Sequence, residues 1–255
     1  MNPFDLTGKV ALITGASRGI GEAIAKAYVA AGADVVISSR RAENIEPVAD
    51  EINAEFPGKA AAVVAHAGQA DSAARLVAEA VARFGRLDIA VNNAATNPHF
   101  GPMLASEESH WDKIFEVNIK GYFFVCQAAA QQMIRQGSGG KIINIASIAG
   151  LEPGPMMGIY SVSKAAVIMM TKSLGMELGA DNIQVNAIAP GFIKTKFSSA
   201  VWANEKLAAE LIANTPAGRI AEPDALTGIA LYLAASASDY TTGAVHVVDG
   251  GYILG

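Results

Sequence analysis

Short apolar, β-branched runs recur along the chain, separated by longer alanine-rich segments. The runs cover residues 10–13, 35–37, 62–64, 87–91, 142–145, 183–188 and 245–248. Most are apolar at successive positions instead of alternating, as a parallel strand covered on both faces requires. In the segments between them, apolar residues return at helical spacing, which predicts helices over 19–31, 43–55, 71–84, 107–136, 158–179 and 223–236. This alternation predicts an α/β fold, a doubly wound parallel seven-stranded sheet flanked by helices and wound by right-handed crossovers. No linker, repeat or low-complexity stretch divides the chain, so residues 1–255 read as a single domain. Residues 194–218 break the rhythm with an amphipathic stretch that carries Trp202.

Of the 255 residues, 51% are hydrophobic and 17% charged, enough apolar surface to bury a core and too little charge for disorder. The 19 basic and 24 acidic residues give a net charge of −5 with no basic run, which argues against a nucleic-acid partner. No apolar run is long enough to predict a membrane span. The single cysteine, Cys126, excludes an intrachain disulfide and falls in an apolar helical pattern that points to the core. The histidines, His66, His99, His110 and His246, have no metal-ligand spacing, so no metal is expected. The first residues, MNPFDLTGKV, do not read as a signal peptide, and the last, GYILG, are not a peroxisomal address. The expected location is cytoplasmic.

Thr14-Gly15-Ala16-Ser17-Arg18-Gly19-Ile20-Gly21 joins the first apolar run to the first helical segment. Gly15, Gly19 and Gly21 permit a tight turn and a close approach of backbone to a pyrophosphate. The helix start, with Ser17, Arg18 and Ile20, adds unpaired N–H groups and the positive end of a helix dipole. A turn of this kind between the first strand and the first helix marks a dinucleotide-binding Rossmann fold. The second run ends in Ser38-Ser39-Arg40-Arg41. A site for NAD usually has a carboxylate here for the ribose 2′-hydroxyl. Ser39, Arg40 and Arg41, with Arg18, instead offer guanidinium groups to a 2′-phosphate, so NADP(H) is the expected cofactor.

Tyr160-Ser161-Val162-Ser163-Lys164 opens another helical segment, with Tyr160 and Lys164 at i and i+4 on one face. A phenol of pKa about 10 is a poor base at neutral pH, and a nearby ammonium lowers it. Such a pair can protonate a carbonyl oxygen or deprotonate an alcohol. Ser147, 13 residues before Tyr160 at the end of a strand, can polarise the same oxygen. Asn118 falls inside the predicted 107–136 helix, where Asn is unfavourable, which suggests a polar task such as holding a water beside Lys164.

With these residues in place, the chain resembles the short-chain dehydrogenase/reductase family along essentially its whole length. The glycine turn, Asn92-Asn93-Ala94-Ala95, Asn118, Ser147, Tyr160/Lys164 and Pro190-Gly191 occur in the family's order. The resemblance implies that Tyr160 transfers a proton and that Lys164 binds the nicotinamide ribose and tunes Tyr160. It implies that Ser147 stabilises the substrate oxygen and that Asn118 completes a water-linked proton relay. Asn93 and Ala94 are then expected at the adenosine ribose, and Pro190, Gly191, Ile193 and Thr195 around the nicotinamide. More narrowly, Ser38-Ser39-Arg40, Asn93 to Pro98, and Pro190 to Ser198 followed by Trp202 are similar to the NADPH-dependent carbonyl reductase branch.

Two departures stand out. Ala95 replaces a usual glycine, and Ala65-His66-Ala67-Gly68 replaces a usual Asp-Val, so His66 is expected to take over the adenine contact by hydrogen bonding or stacking. Between Ser147 and Tyr160, the residues Ala149, Pro153, Met156 and Met157 are expected to line the substrate pocket, joined by Trp202 and with no cation among them. Two adjacent methionines adapt to varied shapes. A neutral, hydrophobic ketone or aldehyde, or the matching secondary alcohol, is the expected substrate, with residues 194–218 as a mobile substrate lid. A 3-oxoacyl thioester reductase, on acyl carrier protein or coenzyme A, is the alternative. A non-catalytic NADP-binding regulator is the remote one, disfavoured by the presence of both Tyr160 and Lys164. The family resemblance also implies a homotetramer.

Overall fold

All seven apolar runs become strands of one parallel sheet in a computed structural model that describes residues 2–254, apart from the side chain of Ala200. The strands are β1 Val10–Thr14, β2 Asp34–Ser39, β3 Ala60–Val64, β4 Ile89–Asn92, β5 Gly140–Ile145, β6 Ile183–Pro190 and β7 Val245–Val248, in the order β3-β2-β1-β4-β5-β6-β7. From β1 the chain winds outward to β3, then returns to place β4 on the other side of β1. The crevice of such a sheet opens at this reversal, beyond the carboxyl ends of β1 and β4.

The continuous apolar runs are explained by the two cores. Ile13, Val35 and Ile37 face one layer with Ile24, Tyr28 and Leu233, while Leu12 and Val36 face the other with Leu76, Val125 and Met133. Adjacent residues of a strand point to opposite faces, and both faces here are dry. The start of β4 is tied to β1 by Asp88, a buried carboxylate. It accepts the Val10 N–H at 3.0 Å and a two-pronged bond from Arg86 at 2.7 and 2.6 Å.

The helices are α1 Ile20–Ala30, α2 Ala42–Glu55, α3 Ala70–Phe84, α4 Glu108–Ile114, α5 Gly121–Gln136, α6 Gly158–Glu177, α7 Ser199–Trp202, α8 Glu205–Ala213 and α9 Thr227–Ala234. One long helix over 107–136 is not what forms. A π-helical turn, Phe115–Lys120, separates α4 from α5. Such a turn holds an extra residue and re-aims the side chains on either side of it. Asn118 in this turn is held from two other segments, and Gly121 packs so closely on the Ala67 carbonyl that a β-carbon has no room. The predicted 223–236 helix starts instead as a 3₁₀ turn, Pro223–Leu226, and becomes α-helical only from Thr227. The interrupted region 194–218 holds α7 and α8, which follow β6 across the carboxyl edge of the sheet.

Candidate active site

The glycine turn leaves β1 and enters α1 at the crevice. Gly19 caps α1 with φ 65°, a left-handed conformation that favours glycine, and no side chain bonds the first N–H groups of the helix. A β-carbon on Gly15 would stand 2.7 Å from the Ala94 Cα, and one on Gly21 would stand 2.5 Å from Asn93 Nδ2. These are cradle glycines, kept bare by neighbouring backbone and amide. Asn93 donates from Nδ2 to the carbonyls of Thr14 and Gly15 at 3.0 and 2.9 Å, and so fixes the turn from behind. Thr14 Oγ1 accepts the N–H groups of Asn93 and Ala94 at 3.1 and 3.2 Å. A free helix N-terminus beside a glycine cradle fits the pyrophosphate of a dinucleotide.

Around the cradle the remaining expected residues fall as follows. Ser17 and Ile20 are half-buried at the turn, and Arg18 and Arg40 are exposed, neither within ion-pair distance of a carboxylate among the described residues. Arg41 is also exposed but reaches Glu43 at 3.7 Å, and Ser39 spends its hydroxyl on the Arg41 carbonyl at 2.9 Å. Ala95 is half-buried on the loop beyond β4. Pro190 ends β6, and Gly191 lies so close to Asp249 that a β-carbon would meet its Cα at 2.7 Å. Ile193 is buried, and the Thr195 methyl lies 3.2 Å from where a Gly19 β-carbon would be, so the loop after β6 faces the glycine turn.

His66 follows β3. Its Nδ1 accepts the Gly68 N–H at 3.2 Å and lies 3.8 Å from Glu116 Oε1. With Nδ1 accepting, the neutral ring carries its proton on Nε2, which makes that nitrogen a donor. An adenine amine needs an acceptor, so a neutral His66 cannot reproduce the bond a carboxylate makes there. Stacking, or donation to a ring nitrogen, is what its chemistry allows.

Ser147, Tyr160 and Lys164 converge where β5 ends and α6 begins. Lys164 is 1% exposed, and its Nζ donates to the Ile145 carbonyl at 2.7 Å and to the Tyr122 hydroxyl at 3.2 Å. Burial, with no carboxylate beside it among the described residues, pushes the Lys164 ammonium down to about 7. Tyr160 is also buried, which pushes its phenol up, and the Ser147 hydroxyl beside it pulls the other way. In this arrangement burial outweighs the expected lowering of the Tyr160 phenol by Lys164. Desolvation dominates, and the lysine spends its donors on Ile145 and Tyr122, with Nζ 5.7 Å from the Tyr160 ring centre. Ser147 Oγ accepts the Ala149 N–H at 3.1 Å, which fixes the serine at the head of the turn Ile148–Gly150.

Asn118 differs from its expectation too. Its Oδ1 accepts the Thr96 N–H at 2.8 Å, and its Nδ2 donates to the Thr96 carbonyl at 2.9 Å and to Ser163 Oγ at 3.1 Å. Both N–H groups and one lone pair are spent on protein, so this side chain staples the loop after β4 to α6 and has no donor left for a water. Ser163 passes the connection on, donating to the Tyr160 carbonyl at 2.7 Å.

On the substrate side, Ala149 and Met157 pack in one apolar cluster with Tyr160, Ile114 and Ile159, against Trp111. Pro153 and Met156 are exposed on the loop. Met156 has φ 63°, and its carbonyl accepts the Gly101 N–H at 2.8 Å, which joins that loop to the one after β4. Trp202 does not reach Tyr160 through its indole N–H, which donates to the Thr195 carbonyl at 2.7 Å while Lys194 stands over its ring. The aromatic residue on Tyr160 is Phe197, with ring centres 5.7 Å apart. Sequence reasoning missed Phe197, Tyr122 and Thr14. Tyr122 lies in an apolar helical pattern, Phe197 in the amphipathic stretch 194–218 where Trp202 drew the attention, and Thr14 in the glycine turn with no bond of its own assigned. Among the described residues no group of three or more His, Cys, Asp or Glu is placed to hold a metal.

Residues 15–253 match the family model described as enoyl-(acyl carrier protein) reductase. The dehydrogenase/reductase SDR family member 4 of Oryctolagus cuniculus is 40% identical over 246 residues, 96% of this chain and 94% of that protein. The 2-dehydro-3-deoxy-D-gluconate 5-dehydrogenase of Dickeya dadantii is 40% identical over 255 residues, 99% of this chain and 98% of that one. A gluconate 5-dehydrogenase from Burkholderia cenocepacia, solved in complex with NADP and tartrate, is 36% identical with a TM-score of 0.95, covering 100% of this chain and 98% of that chain. The chain belongs to the short-chain dehydrogenase/reductase family.

The buried lysine has a measurable cost. Between about 7 and its ordinary value of 10.5, the unfolded chain holds a proton on Lys164 that the folded chain does not, so stability rises with pH across that window. Lys164→Met is expected to raise the unfolding free energy near neutral pH by about 1–4 kcal/mol. The gain narrows as the medium approaches the ordinary lysine range. Urea unfolding of both proteins across that range checks it, and equal stability at neutral pH would contradict the assigned burial cost.

Proposed function

We propose that the protein is an NADP(H)-dependent dehydrogenase/reductase that interconverts a carbonyl and a secondary alcohol. The observation that carries this reading is the convergence of Ser147, Tyr160 and Lys164 beside a glycine cradle and a free helix N-terminus. The bound nicotinamide supplies or accepts the hydride. The residues do the rest. The cradle and the start of α1 hold the pyrophosphate, with Arg18 and Arg40 at the 2′-phosphate and Arg41 shared with Glu43.

In the reducing direction, the Tyr160 hydroxyl gives its proton to the substrate oxygen, and the Ser147 hydroxyl donates to the same oxygen. A phenol held high by burial is a stored acid. Oxidation needs the reverse, and the Lys164 cation supplies it by stabilising the phenolate as the proton leaves. Asn118 and Ser163 keep the first turn of α6 in place. Phe197 and Met157 exclude water from the Tyr160 hydroxyl. Residues 194–218 serve as the lid, and Phe197 is its substrate-facing side chain.

The apolar residues beside Tyr160 favour a neutral, hydrophobic carbonyl substrate. A second reading, oxidation of a sugar acid, is favoured by the gluconate and deoxygluconate dehydrogenases among its relatives. A panel of hydrophobic ketones and aldehydes, 3-oxoacyl thioesters and keto-gluconates, followed by NADPH absorbance, separates the readings. Turnover confined to keto-gluconates would overturn the hydrophobic one.

We also infer a homotetramer, because Phe123 and Ile134 on α5 and Val162, Met169 and Met176 on α6 leave large apolar side chains exposed. Light scattering should give four chain masses, and a monomer mass would end that inference. Tyr160→Phe is expected to keep NADPH binding, measured by fluorescence, while turnover falls about 10²–10⁴-fold. Near-normal turnover would remove Tyr160 from the proton transfer. Arg40→Asp should lower the kcat/KM ratio of NADPH to NADH about tenfold or more, the worth of one charge-assisted contact. An unchanged ratio would take Arg40 out of the phosphate site.

A further inference from the structure

Tyr122, on the first turn of α5, has no part in the reading above, yet its hydroxyl is one of the two partners of the Lys164 ammonium. The residue is 2% exposed. Its O–H donates to the Ile145 carbonyl at 3.0 Å, so toward Lys164 Nζ, 3.2 Å away, it offers only a lone pair. Lys164 bonds the same Ile145 carbonyl, and the three groups form a closed triangle at the end of β5. The ammonium lies 4.9 Å from the Tyr122 ring centre and 5.7 Å from that of Tyr160, close enough to both for cation–π attraction.

The π-helical turn helps to produce this arrangement. Asn118 within it and Tyr122 one turn later reach consecutive residues of α6, Ser163 and Lys164. The titratable groups that face the lysine are Tyr160 from α6 and Tyr122 from α5, with Cys126 behind Tyr122. β5 presents the Ile145 carbonyl, and the Asn118 amide of the π-helical turn is spent on Thr96 and Ser163. No carboxylate pairs with Lys164 among the described residues.

We propose that Tyr122 is the positioning residue for Lys164, its hydroxyl holding the ammonium at the end of β5 beside Tyr160 and favouring the charged form. A hydrogen bond from an ammonium is about twice as strong as one from a neutral amine, so it raises proton affinity against the pull of burial. A tyrosine that merely capped the Ile145 carbonyl would contribute to stability and leave the lysine's proton affinity untouched.

The inference rests on the reading of Lys164 as the partner of Tyr160 only where turnover is concerned, so the deciding test avoids turnover. Cofactor-free protein carrying ¹³Cε-lysine is titrated by NMR, with the Lys164 signal assigned by its loss in Lys164→Met. In Tyr122→Phe the Lys164 midpoint is expected to fall about one unit, the size of one charge-assisted hydrogen bond. The alkaline limb of kcat/KM with NADPH should move the same way. An unmoved Lys164 midpoint overturns the proposal whatever turnover does. A moved midpoint with an unmoved limb supports the proposal and counts instead against the role given to Lys164. Should Tyr122→Phe fail to fold, Tyr122→Met removes the same hydroxyl and takes its place in the titration.

Discussion

A buried cation with no carboxylate among the described residues to neutralise it is the constraint around which this molecule is arranged. An ammonium moved out of water must recover its hydration from whatever polar atoms the fold presents. Here those atoms are a main-chain carbonyl at the end of a strand and a phenol from a neighbouring helix. Both are neutral. The site thus keeps a group whose charge is only marginally held, next to a phenol that burial keeps protonated. The lysine lies near its midpoint at neutral pH and exchanges a proton with small perturbation from a bound ligand, whereas the phenol stays protonated until a neighbouring cation favours its ion.

The sheet is what makes the arrangement affordable in backbone terms. Parallel strands end together, and at that edge the loops after β1, β4, β5 and β6 meet. Asn93 grips the loop after β1 from the loop after β4, and Asn118 ties the latter to α6. Asn93 bonds the main chain of the glycine turn, and Asn118 bonds the main chain of Thr96 and the hydroxyl of Ser163, so each sets a distance between segments instead of filling space. That is why asparagine recurs where the apolar pattern would ask for an aliphatic residue.

The fold was legible because its signal is redundant: consecutive apolar residues in each strand, helical spacing between them, and a glycine turn in the first βα unit. The proposed proton-transfer pair stood out for a related reason, since Tyr160 and Lys164 are separated by one helical turn. What escaped was set by tertiary contact. Nothing in the 107–136 pattern announces a π-helical turn, because its cause is Asn118 being held from other segments and Gly121 meeting Ala67. Trp202 looked like the aromatic of the pocket, but its indole N–H found a carbonyl within its own loop, and Phe197 took the place on Tyr160. The tuning of Tyr160 by Lys164 was expected from spacing alone. Spacing gives a shared helix face; it does not say how far each side chain is desolvated or where the lysine's donors are spent.

The nucleotide cradle lies within residues 14–21 and is braced by 93–96, whereas the groups proposed to handle the proton all fall between Tyr122 and Lys164. The two sets share no side chain. Selection can therefore retune one without disturbing the other: the end of β2 can drift between phosphate and hydroxyl recognition, and the loop after β6 can be rebuilt for a new metabolite, while the acid–base device is inherited intact. A scaffold divided in this way spreads into many chemistries by exchanging its periphery, and relatives with equal backbones need not share a substrate.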